Sequence, residues 1–311
     1  MQIYLSSISG WEDAFQSMFM SRGTWTPELM QEIKAVCATV LNSDGTIRED
    51  TSSIEISYGF YYRPIEEAWK KFCKWRSSLF NWGTKHITLL KFMDFCFVVQ
   101  GLHRGGTDDW DAHAERYSNR IVRLSTRLSA MKNVDTETND LVMSDYYTDK
   151  VLTLGQVLKL LNIELPEEIQ NGEDTYVRSI NGYVREDLKD NHDAKRGLYP
   201  LGFSNLFIFK CNLIEYAHVR ELRMRKTEGH PQSGHAHPEL WDLVDMIDAE
   251  LEKIGVTKEM LDSIKQYKKE TREVFSLHGF QNVSYVLKSD DIVKPDLCTV
   301  FVNVLNFFFV C

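Results

Sequence analysis

Between Arg196 and Leu240, polar residues recur on a helical rhythm within a background otherwise suited to packing. Arg196 is followed by Pro200, then by Asn212, His218 and Leu222-Arg223, and after a polar insertion by His235-Ala236-His237-Pro238-Glu239-Leu240. Arginine suits a phosphate because its planar fork makes paired, charge-assisted hydrogen bonds and stays protonated. Asn212 and Arg223 are eleven positions apart, about three helical turns, which puts them on one face. Tyr216 and Val219 fill that face between them, so the pair is expected to bracket a long, flat, anionic ligand. Arg116 and Arg196 lie in other segments, as they would in a site assembled between elements.

Several other chemistries find no support. The chain carries no G-x-G-x-x-G after a strand, no P-loop, no G-x-S-x-G and no H-E-x-x-H. His230, His235 and His237 hint at a metal, but without a cysteine or acidic residue at a supporting spacing, and with Pro231 and Pro238 interrupting any helix, no metal is expected.

The elements that must position these residues follow from periodicity. Met1–Ser7 reads as a strand. Thr26-Pro27 caps a helix carrying Leu29, Ile33, Val36 and Val40, and Pro64 opens another through Ile65, Trp69 and Phe72. Residues 85–100 are the most apolar internal segment, and periodicity alone does not separate a buried strand from a buried helix there. After the turn Gly101–Thr107, a helix is expected from Asp109 to Ala130, with Asp108 and Asp109 at its N-terminus and Arg116, Arg120, Arg123 and Arg127 along one face. Residues 131–150 read as loop, Leu154–Leu161 as a helix capped by Thr153, Pro166–Asp174 as an acidic connection, and Tyr176–Leu188 as helix or strand. Leu240, Val244, Ile247, Leu251 and Ile254 define a further helix, and Leu261, Ile264, Val274 and Phe275 another.

The 311 residues are 43% apolar and 12% aromatic, enough for a substantial core, and no linker marks a domain boundary. The net charge of −9 disfavours a nucleic-acid polymer or an anionic membrane as partner. Six cysteines without a C-x-x-C pair read as reduced thiols of a cytoplasmic protein. The apolar tail Leu297–Val310 is shorter than the ~20 residues of a membrane helix and reads as a strand or buried terminal segment.

The spacing from Arg196 through Pro200, Asn212 and Leu222-Arg223 to His235-Ala236-x-x-Glu239-Leu240 resembles that of the flavin-dependent thymidylate synthases. Their signature, Arg-His-Arg-x-x-Ser-x-Asn-Glu-x-Ser-x-Arg-Tyr-Ser, is matched by His103-Arg104 and by Arg116-Tyr117-Ser118, with Leu102 in place of the first arginine and two extra residues between. The resemblance covers about residues 85–250. It implies an α+β fold, a helix-rich single catalytic domain with a small sheet over 1–311, with 1–84 and 251–311 as flanking extensions.

It further implies that Arg116, Arg196, Arg223 and Gln100 hold deoxyuridine monophosphate (dUMP), with Arg223 the catalytic residue stabilising charge that develops on the pyrimidine. His103, Arg104, Asn212, His218 and His86 would contact flavin adenine dinucleotide (FAD). The implied reaction is reductive methylation of dUMP to dTMP, with methylenetetrahydrofolate and NADPH as cosubstrates, in a homotetramer whose subunits share sites. The alternatives are a related flavoenzyme placing another one-carbon group on a pyrimidine nucleotide, and a flavin-free homologue that binds without catalysis.

Overall fold

The computed structural model describes residues 1–48, 65–112, 120–125 and 133–264. Met1–Ile264 form one compact unit, and Lys265–Cys311, a second unit, lie outside the described residues. Arg116, Tyr117, Ser118, Arg127, Val274, Phe275 and the apolar tail are therefore not described.

The fold is α+β. In chain order it comprises β1 (Gln2–Ser9), α1 (Trp11–Ser21), α2 (Pro27–Val40), α3 (Ile65–Gly83), a 3₁₀ turn over Ile87–Phe92, β2 (Asp94–His103), α4 (Arg104–Asp111) and β3 (Arg120–Arg123). Then come β4 (Val134–Asp135), β5 (Asp140–Leu141), α5 (Asp145–Thr148), α6 (Leu154–Leu160), β6 (Glu168–Asn171), β7 (Asp174–Ser179) and β8 (Gly182–Arg185). The remaining elements are α7 (His192–Arg196), β9 (Ser204–Asn212), α8 (Leu213–Arg223) and α9 (Pro238–Lys253), with residues 258–264 again helical.

The central sheet is antiparallel in the order β1-β2-β9-β3. Phe95, Phe97 and Val99 of β2 and Phe207, Phe209 and Cys211 of β9 alternate inward and are buried, because successive strand side chains face opposite ways. Phe97 stacks on Phe209 at 5.3 Å, and Trp11, Phe15, Phe72 and Trp75 join α1 to α3 in one aromatic core. On the outer face, Tyr4, Val98, Ile208 and Val122 line up across all four strands in one row. Tyr4 is 52% exposed and Val122 69%.

A bulge at Gly101 interrupts the β2 ladder between Gln100 and Leu102. Gly101 has φ +98°, and a Cβ there would approach the Cα of Met1 to 3.0 Å, so glycine alone fits without displacement. The bulge hands the inward position to Leu102 and gives His103 the alternate phase at the entrance to α4.

Several expectations from the sequence need correction. Of the helix expected over Asp109–Ala130, the described residues form the end of α4, which begins at Arg104 and places Asp108 and Asp109 past its first turn, and strand β3. The alternation Ile121–Val122 answers cross-strand partners on β9, and such pairing overrides a helical period that local sequence alone suggests. Residues 85–100 divide between the 3₁₀ turn and β2. The acidic connection contains strand β6, wholly exposed and held by backbone pairing with β7, and the segment after residue 131 folds into the β4–β5 hairpin and α5. Helix α1, unassigned from sequence, packs Trp11, Ala14, Phe15 and Met18 into the core. Expected caps at Thr26 and Thr153 are formed by their side chains, the latter as a capping box with Gln156.

Candidate functional site

Arg223 closes the C-terminal turn of α8 and lies across from α4. Its Nη2 donates to the Asp109 carbonyl at 2.8 Å. Its Nε is buried and has no hydrogen-bond partner among the described residues. No carboxylate of the described residues pairs with it, although Asp109 favours its charge electrostatically, and burial lowers its pKa. A half-buried guanidinium held this way is under-satisfied: part of its surface has left water, and its Nε donor is filled by no described residue. Among the candidate arginines with a described environment, Arg104 is tied to Asp108, Arg196 to Asp193 and Arg123 to Asp108 and Asp111.

The other end of α8 is closed. Asn212 accepts from the N–H groups of Ile214 and Glu215 at 3.0 Å, and Glu215 returns a bond to the Asn212 N–H, a full capping box. Tyr216 and Val219, expected to line a ligand between Asn212 and Arg223, are 2% and 5% exposed and belong to the core. The Tyr216 hydroxyl donates to Asp248 at 2.7 Å. That face of α8 is therefore packed against α9, and no flat ligand lies along it. Beside it, the 9%-exposed Arg220 side chain donates through Nε to both Asp248 oxygens and through Nη1 to Asp262 at 2.7 Å. Burial pushes the Asp248 carboxyl up, against the pull of Arg220.

The remaining candidates are dispersed. His86 stacks on Trp82 with centroids 4.4 Å apart. Gln100 is exposed on the strand opposite Gln2. Arg196 ends the short helix α7, largely exposed, at 3.1 Å from Asp193. His218 is partly buried in the middle of α8. Arg120 reaches Asp94 at 2.7 Å, so Arg120 and Arg123 serve as ion pairs on opposite faces of a strand.

One cluster escaped sequence reasoning. His103 is buried where β2 enters α4, and its Nδ1 contacts Glu239 Oε2, which also accepts the His103 backbone N–H at 3.2 Å. His237, the N-cap of α9, places its ring 4.3 Å from that of His103. Tyr147 of α5 meets His237 Nε2 at 3.0 Å. Burial would raise the Glu239 carboxyl, but hydrogen bonds from His103 win and hold it low. Burial, and then His103, lower the His237 imidazole. The acidic partner judged missing from the histidine-rich insertion is Glu239, two residues from His237. The signal was present in the spacing, but His103 stands more than a hundred positions away.

A separate cleft between β1 and α2 is lined by Ser7, Glu12, Cys37, Asn42 and Asp44 among others. None of its lining residues is a cation, so it does not suit a phosphate.

No protein-family model matches the chain, and no curated protein matches it. Among solved structures it is similar to the flavin-dependent thymidylate synthase ThyX of Helicobacter pylori complexed with FAD and dUMP, at 14% identity and a TM-score of 0.45, over 86% of this chain and 99% of that one. A second structure of ThyX from that organism with FAD and dUMP gives 14% identity, 84% and 99% coverage and a TM-score of 0.46. A UMP/dUMP methylase, PolB of Streptomyces cacaoi, bound with 5-Br dUMP gives 12% identity, 85% and 94% coverage and a TM-score of 0.43. With these three TM-scores below 0.5, the functional reading rests on the residues themselves. Among the described residues no helix is long and apolar enough to cross a membrane.

Proposed function

We propose that this chain binds a pyrimidine nucleoside monophosphate, dUMP in the first instance, and acts as a methylating enzyme of the flavin-dependent thymidylate synthase kind in the cytoplasm. The observation that carries the reading is Arg223: an arginine singled out by spacing and resemblance is, among the described residues, also one left with a buried, unpartnered Nε. In this reading Arg223 donates to a pyrimidine carbonyl oxygen and stabilises the negative charge that gathers there as C5 becomes nucleophilic. Arg196, exposed at the end of α7, reaches for the phosphate, as would Arg116, which lies outside the described residues. Gln100 orients the base.

FAD, as reduced flavin, would supply the one-carbon transfer, with NADPH and methylenetetrahydrofolate as cosubstrates. The described residues of one chain do not by themselves fit it. His103 is held by Glu239, Arg104 by Asp108 and Asn212 by the start of α8, and His86 lies against Trp82. Further copies of the chain would complete such a site, and the apolar row Tyr4–Val98–Ile208–Val122 is the face we assign to homo-oligomer contact, the tetramer of the resemblance.

Those same internal contacts favour a second reading, a nucleotide-binding homologue without flavin. Purified protein separates the two. Flavin uptake on titration, dUMP affinity and rescue of a thymidine-requiring bacterium together support the enzyme. dUMP binding by a colourless protein that takes up no flavin supports the second reading, and absence of dUMP binding rejects both.

A further inference from the structure

Side chains from two distant segments converge where β2 ends and α9 begins. His103 is 5% exposed and Glu239 4%, while His237 retains partial access to solvent. One ligand-type atom from each lies within 4.8 Å of the other two. A hydrogen-bonded pair accounts for His103 and Glu239, but it gives no reason for a second imidazole packed on the first.

The tautomer of His237 follows from its neighbours. Its Nδ1 accepts the Glu239 N–H at 3.3 Å, so Nε2 carries the proton and donates it to the Tyr147 hydroxyl. The lone pair is therefore on Nδ1, at the end of the ring that faces the start of α9. Metal-binding histidines ordinarily donate their second ring N–H to an outer partner, which fixes the ring, and Tyr147 fills that role here.

We propose that His103, His237 and Glu239 form a binding site for a divalent transition-metal ion of the zinc class, leaving at least one coordination position to water. Two imidazoles and a carboxylate are a ligand set suited to Zn²⁺ or Fe²⁺ rather than to Mg²⁺ or Ca²⁺, which take oxygen. Bonds of about 2.0–2.2 Å put tetrahedral ligands about 3.3–3.6 Å apart, so small side-chain rotations, which part His103 from Glu239 and draw in His237, arrange the set around an ion. Binding exchanges the long Nδ1 cap bond of His237 and the hydrogen bond between His103 Nδ1 and Glu239 for metal bonds, with release to solvent of the proton that the His103–Glu239 bond holds. The position of His103 is set by backbone: a Cβ on Gly106 would stand 2.7 Å from its Cε1, so the absence of a side chain at that position is what admits the ring. The site is independent of the nucleotide reading.

The test uses the full chain, stripped with chelator, titrated with Zn²⁺ by calorimetry and with Co²⁺ by visible absorption. One ion per chain is expected, with ligand-field bands of a four- or five-coordinate Co²⁺. Because His103 and Glu239 are buried and their loss risks the fold, the partly exposed His237 carries the decision. His237→Ala should abolish binding, Tyr147→Phe should weaken it about 10–100-fold, and His235→Ala, at an exposed neighbour, should leave it unchanged. No stoichiometric binding by the unmodified chain at micromolar metal, or equal binding by His237→Ala, overturns the proposal.

Discussion

Truncation of Arg223 separates a ligand-binding role from a structural one, because the first predicts a small stability effect and the second a large one. Among the described residues the guanidinium makes one hydrogen bond, to the Asp109 carbonyl at 2.8 Å, while its Nε is buried without a partner. Such a bond contributes about 0.5–1.5 kcal/mol net, more when charged, and an unsatisfied buried donor costs about 1–3 kcal/mol. These nearly cancel, so Arg223→Ala should shift the unfolding free energy by no more than about 1 kcal/mol, measured by urea denaturation with an unchanged m value. Toward dUMP the balance differs, since an acceptor that fills the orphaned fork makes charge-assisted bonds of about 1.5–3 kcal/mol. At about 1.4 kcal/mol per decade, that is a loss of roughly 10–150-fold in affinity by calorimetry. Arg223→Lys should recover only part of it, because an ammonium supplies charge without the planar fork. Destabilisation beyond 2 kcal/mol with unaltered dUMP affinity would refute the reasoning and make Arg223 a structural tie between α8 and α4.

Two further outcomes follow from the fold. Asp248→Ala strips the buried Arg220 of its main counter-ion and the Tyr216 hydroxyl of its 2.7 Å acceptor, so unfolding should become easier by about 3–5 kcal/mol, a large share of the ~5–15 kcal/mol usual for a domain; a loss below about 1 kcal/mol in the unfolding free energy from urea denaturation contradicts that network. Val122→Lys places a charge at the most exposed position of the apolar row, and light scattering should show smaller assemblies than the unmodified chain gives; an unmodified chain that is already monomeric at tens of micromolar removes the oligomer assignment.

Local patterns determined much of this protein. The caps at Thr26 and Thr153, the amphipathic stripe from Leu240 to Ile254, the first strand and the helix carrying Ile65, Trp69 and Phe72 all form as the sequence implies, because each depends on residues within a turn or two of one another. Arg223 was legible for the same reason, as the end of a helix whose start is marked by Asn212. Only the tertiary structure decided which partners those residues have. Asn212 looks identical in sequence whether it meets a ligand or caps its own helix, and the fold shows the cap. The arginine row at 116, 120, 123 and 127 reads as a helical face until pairing with β9 turns Arg120–Arg123 into a strand. His103, His237 and Glu239 meet through a bulge at Gly101 and the packing of α9 against β1 and α4. His237 and Glu239 are two residues apart, but the approach of His103 to them is set by long-range contacts, and no spacing along the chain encodes it.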